Sequence, residues 1–435
     1  MDFLYFCIRD NFAFMNGAAH KQLRSTLLGL FSQRCLDLYL VHQRSSIGEH
    51  LAAWSEERSY SESAPLMTRF NCLDMNARTS QRAFLGAHLS AEERKQLSDE
   101  FGLLTGGMFT LPINLPGSAL HAGVQARVRL LGLLERAVKR AKVAIADANY
   151  EPTCLLDLWM RQLAQAAVAG EPEDPHATDA GAAKVMLDFL FAAQDASTSS
   201  LTWLTHFMTL NPDCLAKVRA EVVELHRQQR QAAGGNSSQP LRIDAEAIRS
   251  LKYCAKVVRE TLRICPPATL VPHLTLDPIE MHTAKQATTV GKCPMSGSVS
   301  GVSEGAPAGC PFGFTVPAGT VVVPSVWQCN REGWVEPERF NPDRFEDEDT
   351  KALGHTAAGS SAGQFLTFGA GPHVTRQASE RGGDVQGVWM PTVDGCVFSL
   401  CGVCVCVFVF VLGVHGLPLR SAAARDVPVS ARPRV

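Results

Sequence analysis

From Met186 to Met208 the sequence leaves almost no polar face. Met186-Leu187-Asp188-Phe189-Leu190-Phe191 and the turns that follow set apolar side chains on nearly every side of a helix. Such a helix must run through a core rather than along its edge. Other helices have to pack around it, and 435 residues can supply them as one large domain or two or three smaller ones. With 46% hydrophobic and 19% charged residues the composition is globular, which excludes disordered, collagenous and coiled-coil readings. A net charge of -2 excludes a globally basic nucleic-acid binder. The 14 Cys are irregularly spaced, which suits a reducing, cytosol-facing compartment better than a disulfide framework.

Residues 1–280 read as mostly helical. Asn211-Pro212-Asp213 ends the long helix and opens an amphipathic one from Cys214 to about Arg230. Asp244 opens a further helix that stops before Pro266-Pro267. Beyond it, Thr269 to Thr275 and Thr320 to Val323 have the character of short strands. The expected fold class is therefore mainly α with small β-sheets. Two low-complexity insertions, about 285–311 and 350–363, interrupt the pattern. Cys293 and Cys310 lie in the first of them, too far apart and too poor in His neighbours to read as a metal site. A tail, 374–435, has neither helical nor strand periodicity. Within it Cys396 to Val414 is uncharged and long enough for a membrane span, yet its alternating Val and Cys also match a translated GT repeat, as intron read-through would give.

Four signals carry chemistry. Glu260-Thr261-Leu262-Arg263 puts an acid and a base on one face of an apolar helix, where a buried pair would need a third partner. Pro337-Glu338-Arg339-Phe340 and Pro342-Asp343-Arg344-Phe345 offer one. Phe368-Gly369-Ala370-Gly371-Pro372-His373 is a glycine-rich turn without the Lys-Ser/Thr of a phosphate loop. Asp195, followed by Ala196, Ser197 and Thr198, sets an acid and hydroxyls inside the apolar helix, a costly placement unless a cavity or a hydrogen-bond network receives them.

Taken together and in this order, the four signals resemble the cytochrome P-450 family of heme-thiolate oxygenases over residues 1–373. Glu260 and Arg263 match its ExxR motif and Arg344 its PxRF segment, which implies a structural triad of Glu260, Arg263 and Arg344, with Arg344 preferred to Arg339. Phe368, Gly369, Gly371 and His373 match the heme-binding loop, and His20 to Arg24 is similar to WxxxR with His for Trp. The resemblance implies heme as cofactor, its propionates held by His20, Arg24 and His373, and Asp195 with Ser197 as proton carriers. Gln194-Asp195-Ala196-Ser197, Asn76 to Gln81, Leu111 to Gly117 and Pro267 to Pro272 are similar to sterol C-22 desaturases. That likeness implies a sterol-like apolar substrate, O2, an NADPH-dependent reductase and the cytosolic face of the endoplasmic reticulum membrane, with no nucleic acid. Pro272 and His273, with Val271, would help wall the sterol pocket.

Departures from the family pattern set further expectations. The axial Cys is due two residues beyond His373, where Thr375 stands, and a Gly is due where Gln377 stands. The resemblance also implies a domain incomplete at both ends, without its anchor or the helix under the heme, so that the chain as written is inactive. Two other readings stay open. One is a P-450 hydroxylase of another apolar substrate, and the other a heme-free, membrane-tethered protein without catalysis.

Overall fold

The computed structural model describes residues 15, 17–56, 68–108, 110–170, 174–234, 243–270, 272–281, 314–345, 365 and 367. Helix α1 is Gly17–Leu28, α2 Gln33–Glu56, α3 Thr68–Leu85, α4 Ala91–Met108, α5 Ala119–Ile145 and α6 Leu155–Val168. The central helix α7 is Asp179–Leu210, followed by α8 Pro212–Ala232, α9 Ala245–Ser250, α10 Lys252–Ile264 and the short α11 Val326–Cys329. Two antiparallel strand pairs complete these elements. Strand β1 (His273–Leu274) pairs with β4 (Val321–Val322), and β2 (Ile279–Met281) with β3 (Phe314–Val316).

Helix α7 begins under a Thr178 cap, whose hydroxyl accepts from Gly181 N at 3.0 Å, and ends where Asn211 Nδ2 donates to Phe207 O. Its two halves serve two cores. Phe189 and Leu190 pack with residues of α1 to α6, among them Phe84, Phe101, Leu134 and Trp159. Leu201, Leu204 and Met208 pack instead with α2, α3, α8 and α10, through Leu40, Met75, Val218 and Val257. The all-round apolar pattern thus follows from burial on both sides. Among the described residues no helix is long and apolar enough to cross a membrane. Cys396 to Val414 and the residues 285–311 and 350–363 lie outside the described residues.

The helix expected from Asp244 to Pro266 is two helices. Asp244 Oδ1 accepts from Ala247 N to start α9, and Asp37 of α2 accepts from Ala245 N. At Leu251 the chain breaks, and α10 starts without a cap of its own. Glu221 of α8 supplies one, accepting from Tyr253 N at 2.7 Å and Cys254 N at 2.9 Å. A helix end satisfied from a distant helix leaves no mark in its own flanking sequence. The pair β2 and β3 was also absent from the expectation, its strands being only three residues each.

Helices α4 and α5 cross at two glycines. A Cβ on Gly107 would lie 2.8 Å from Ala119 O and 3.0 Å from Gly123 Cα. Gly102, on the same helix, has open space around it. The two positions separate helix propensity from packing. Gly102→Ala is expected to stabilise by up to ~1 kcal/mol, the propensity gain alone. Gly107→Ala meets backbone that cannot swing aside, so a packing cost of ~1–3 kcal/mol should outweigh that gain. Thermal melts of the two variants should therefore move in opposite directions.

Candidate functional site

Glu260 and Arg263 are three apart on α10, both fully buried. Arg263 Nε donates to Glu260 Oε2 at 2.7 Å and Nη2 to Oε1 at 3.0 Å, a two-pronged pair of charge-assisted bonds. The remaining guanidinium protons reach backbone carbonyls, Nη1 to Asn330 O at 3.2 Å and Nη2 to Pro337 O at 2.7 Å. Glu260 Oε1 also accepts from Arg344 Nε and from Asn341 N, both at 2.9 Å. Arg344 in turn donates to the carbonyls of Val335, Glu336 and Arg339. The ring of Trp334 lies beneath both guanidinium groups, 5.6 Å from that of Arg263 and 5.5 Å from that of Arg344. Arg339 stands outside this knot, exposed and paired with Glu336.

The knot reaches the approach to the glycine-rich turn. Thr367 is buried, its hydroxyl donating to Leu262 O at 3.1 Å and accepting from Asn330 Nδ2 at 2.7 Å. Phe365 meets Phe345 edge-on. Neither Thr367 nor Asn330 was among the expected site residues. One signal could have found Thr367, a lone hydroxyl within the apolar run Phe365-Leu366-Thr367-Phe368. Phe368, Gly369, Gly371, His373 and Thr375 lie outside the described residues.

On α7 the structure separates the two expected proton carriers. Asp195 is exposed and Ser197 is buried. Two residues along a helix turn about 200° around its axis, so their side chains do not share a face. Thr198, also buried, donates to Gln194 O at 2.7 Å and accepts from Asn76 Nδ2 at 3.1 Å. Ser200, Thr202, Thr205 and Thr209 likewise bond the carbonyl four residues back. The hydroxyls with these bonds serve the helix and the seam with α3, not Asp195. Desolvation pushes the Asp195 carboxyl pKa up, against the opposing charge of Arg69.

On α1, Arg24 is 3% exposed between the buried Leu23 and Leu27. His20 belongs to the same helix, with its side chain outside the described residues. Pro272 and His273, expected at a pocket wall, are exposed where β1 begins, and Val271 lies outside the described residues.

The sequence profile of the family described as cytochrome P450 matches residues 3–283 and 312–374. Cytochrome P450 710A4 of Arabidopsis thaliana is 33% identical over 365 residues, covering 83% of this chain and 63% of the relative. The C-22 sterol desaturase ERG5A of Gibberella zeae is 27% identical over 382 residues, covering 84% of this chain and 63% of the relative. The chain thus spans less than two thirds of the length of these relatives. The solved structure of retinoic acid-bound cyanobacterial CYP120A1 is similar with a TM-score of 0.65, at 19% identity, over 94% of this chain and 74% of that one. This last likeness shows the fold.

Two outcomes follow from the geometry. Glu260→Ala strands two buried guanidinium groups and should cost roughly 3–5 kcal/mol in urea denaturation, whereas Arg339→Ala breaks an exposed pair and should cost at most about 1 kcal/mol. For Asp195 the sign is the reverse. Its raised pKa means that the folded state holds the proton more tightly, so its contribution favours folding in acid and is lost as the pH rises through the raised value. Asp195→Asn should melt above the parent at pH 7, and the gap should close as the pH falls below the ordinary carboxylate range.

Proposed function

Because this chain belongs to the cytochrome P450 family, we propose that its reaction is the O2-dependent C-22 desaturation of a sterol side chain, with electrons from an NADPH-dependent reductase. The observation that carries this reading is the similarity over 382 residues to a relative named for that reaction. The segment Gln194-Asp195-Ala196-Ser197 supports it, since Ala196 stands where the wider family has its oxygen-side Thr. The substrate is an apolar sterol, and the setting is the cytosolic face of the endoplasmic reticulum membrane.

Heme is the prosthetic group that the family implies, and this chain fits it only in part. Arg24 is a buried cation suited to a propionate carboxylate by charge-assisted bonding, with His20 and His373 as its proposed partners. The Thr367 latch holds the lead-in to Phe368, Gly369 and Gly371 against α10. The ligand position does not fit. Thr375 offers a neutral hydroxyl where the chemistry needs a thiolate. No step through iron is therefore assigned to this chain, and the residues from 374 onward are read as intron translation that replaced the ligand segment.

Helix α7 presents Asp195 on an exposed face, where desolvation favours the protonated carboxyl and makes it the proposed proton carrier. Ser197 does not share that face and is kept as a helix-packing residue. Glu260, Arg263 and Arg344 hold the backbone of 330–345 and act on structure rather than on substrate.

Sequencing the transcript across His373 should reveal a reading frame with Cys two residues beyond it. That form, co-expressed with an NADPH reductase and supplied with sterols, should yield the side-chain alkene by mass spectrometry. An alcohol product would replace desaturation by hydroxylation. A transcript that keeps Thr375 would overturn the read-through reading.

A further inference from the structure

Away from the ion knot and α7, three buried side chains converge from two elements. His88 closes the turn of 3-10 helix Gly86–His88 after α3, and Cys154 and Asp157 lie at the start of α6. All three are buried, and one donor atom from each lies within 4.8 Å of the other two. His88 Nε2 is 2.5 Å from Asp157 Oδ1. The other carboxylate oxygen is fully occupied, since Oδ2 accepts from Thr153 N at 2.9 Å and from Thr153 Oγ1 and Tyr150 Oη, both at 3.0 Å.

The two oxygens of Asp157 thus have different duties. Oδ2 is held by donors that fix the carboxylate plane, as the outer hydrogen bonds of a metal ligand do. Oδ1 is turned toward the imidazole. Backbone bonds fix the approaches too, with Arg140 Nη1 donating to His88 O and His42 Nε2 to Thr153 O, each at 2.7 Å. Gly86 admits the sulfur. Its φ is +50°, and a Cβ there would stand 2.9 Å from Cys154 Sγ.

From this convergence we infer that His88, Cys154 and Asp157 form a binding site for a single Zn2+ ion. Imidazole nitrogen, thiolate sulfur and carboxylate oxygen are the donors that borderline-soft zinc takes, whereas Mg2+ and Ca2+ require oxygen alone. Charge balance agrees, because a thiolate and a carboxylate neutralise a divalent ion where an isolated charge would be costly to bury. On binding, the Cys154 thiol proton and the His88 Nε2 proton pass to solvent, the hydrogen bond between Nε2 and Asp157 Oδ1 opens to admit the ion, and no electron changes hands. The site lies on elements apart from the ion knot, so it stands whether or not the desaturase reading does.

The test is metal uptake by the full chain, in a background of Cys401→Ser, Cys404→Ser and Cys406→Ser that removes the closely spaced tail thiols. After metal stripping, Zn2+ should return at one ion per chain and raise the melting temperature, and Co2+ should give a sulfur-to-cobalt charge-transfer band. Cys154→Ser should abolish that band, whereas Cys72→Ser, at a buried thiol elsewhere, should keep it. Tyr150→Phe removes one bond to Oδ2 and should weaken uptake about tenfold or more. Should Cys154→Ser fail to fold, X-ray absorption on the zinc-loaded parent decides, one sulfur with nitrogen and oxygen neighbours being expected. Absence of uptake at micromolar Zn2+, a cobalt complex without the band, or equal affinity in Cys154→Ser would each overturn the site and leave a metal-free His–Asp pair.

Discussion

One buried carboxylate organises the second half of this protein. Glu260 gathers two guanidinium groups and a backbone amide, and those guanidinium groups gather the carbonyls of five residues between Asn330 and Arg339. The region 330–345 has almost no regular secondary structure, so hydrogen bonds to charged groups replace the ladder that a helix or sheet would give. The low dielectric that strengthens each of these bonds also penalises the loss of any one partner. Thr367 extends the same network, so the approach to the glycine-rich turn is positioned from α10 rather than by its own sequence.

The central helix answers a different constraint. Its ends are anchored in two separate apolar cores, and the stretch between them carries the polar residues. A buried helix tolerates Thr and Ser there because their hydroxyls return to its own carbonyls or meet Asn76 across the seam. Asp195 is exposed, and desolvation disfavours its charged form. Its charge therefore costs stability in the folded chain, and a raised carboxyl pKa of this kind suits the proton carrier proposed above.

Much of this was legible in the sequence because the signals were either periodic or closely spaced. The apolar run of α7 and the three-residue offset of Glu260 and Arg263 depend on helical geometry alone, and a third cation was foreseen because a buried pair cannot be satisfied by itself. Other features were hidden for a common reason. The break at Leu251 depends on Glu221, the fixing of Thr367 on Asn330, and the meeting of His88 with Asp157 on the packing of α6 beneath α3, and none of these has a local pattern. Asp195 and Ser197, expected to act together, stand on different sides of α7 because helical period turns neighbours two apart by about 200°.

The dependence of α10 on partners from both directions bears on how the chain is made. During synthesis Glu260 and Arg263 leave the ribosome long before Asn330, Pro337 and Arg344, while the cap from Glu221 is already available. Every nascent fragment that ends between Ile264 and Arg344 therefore lacks at least one further partner of Glu260 or Arg263. Helices α1 to α10 can dock their apolar faces as they emerge, Val257 joining the core of Leu204 and Val218, but Glu260 and Arg263 have to wait for the segment behind them. A premature stop in that interval removes the partners without removing the buried pair. It leaves α10 packed on its apolar face but with buried polar groups short of partners, a weakness that exposes such products to cellular proteases.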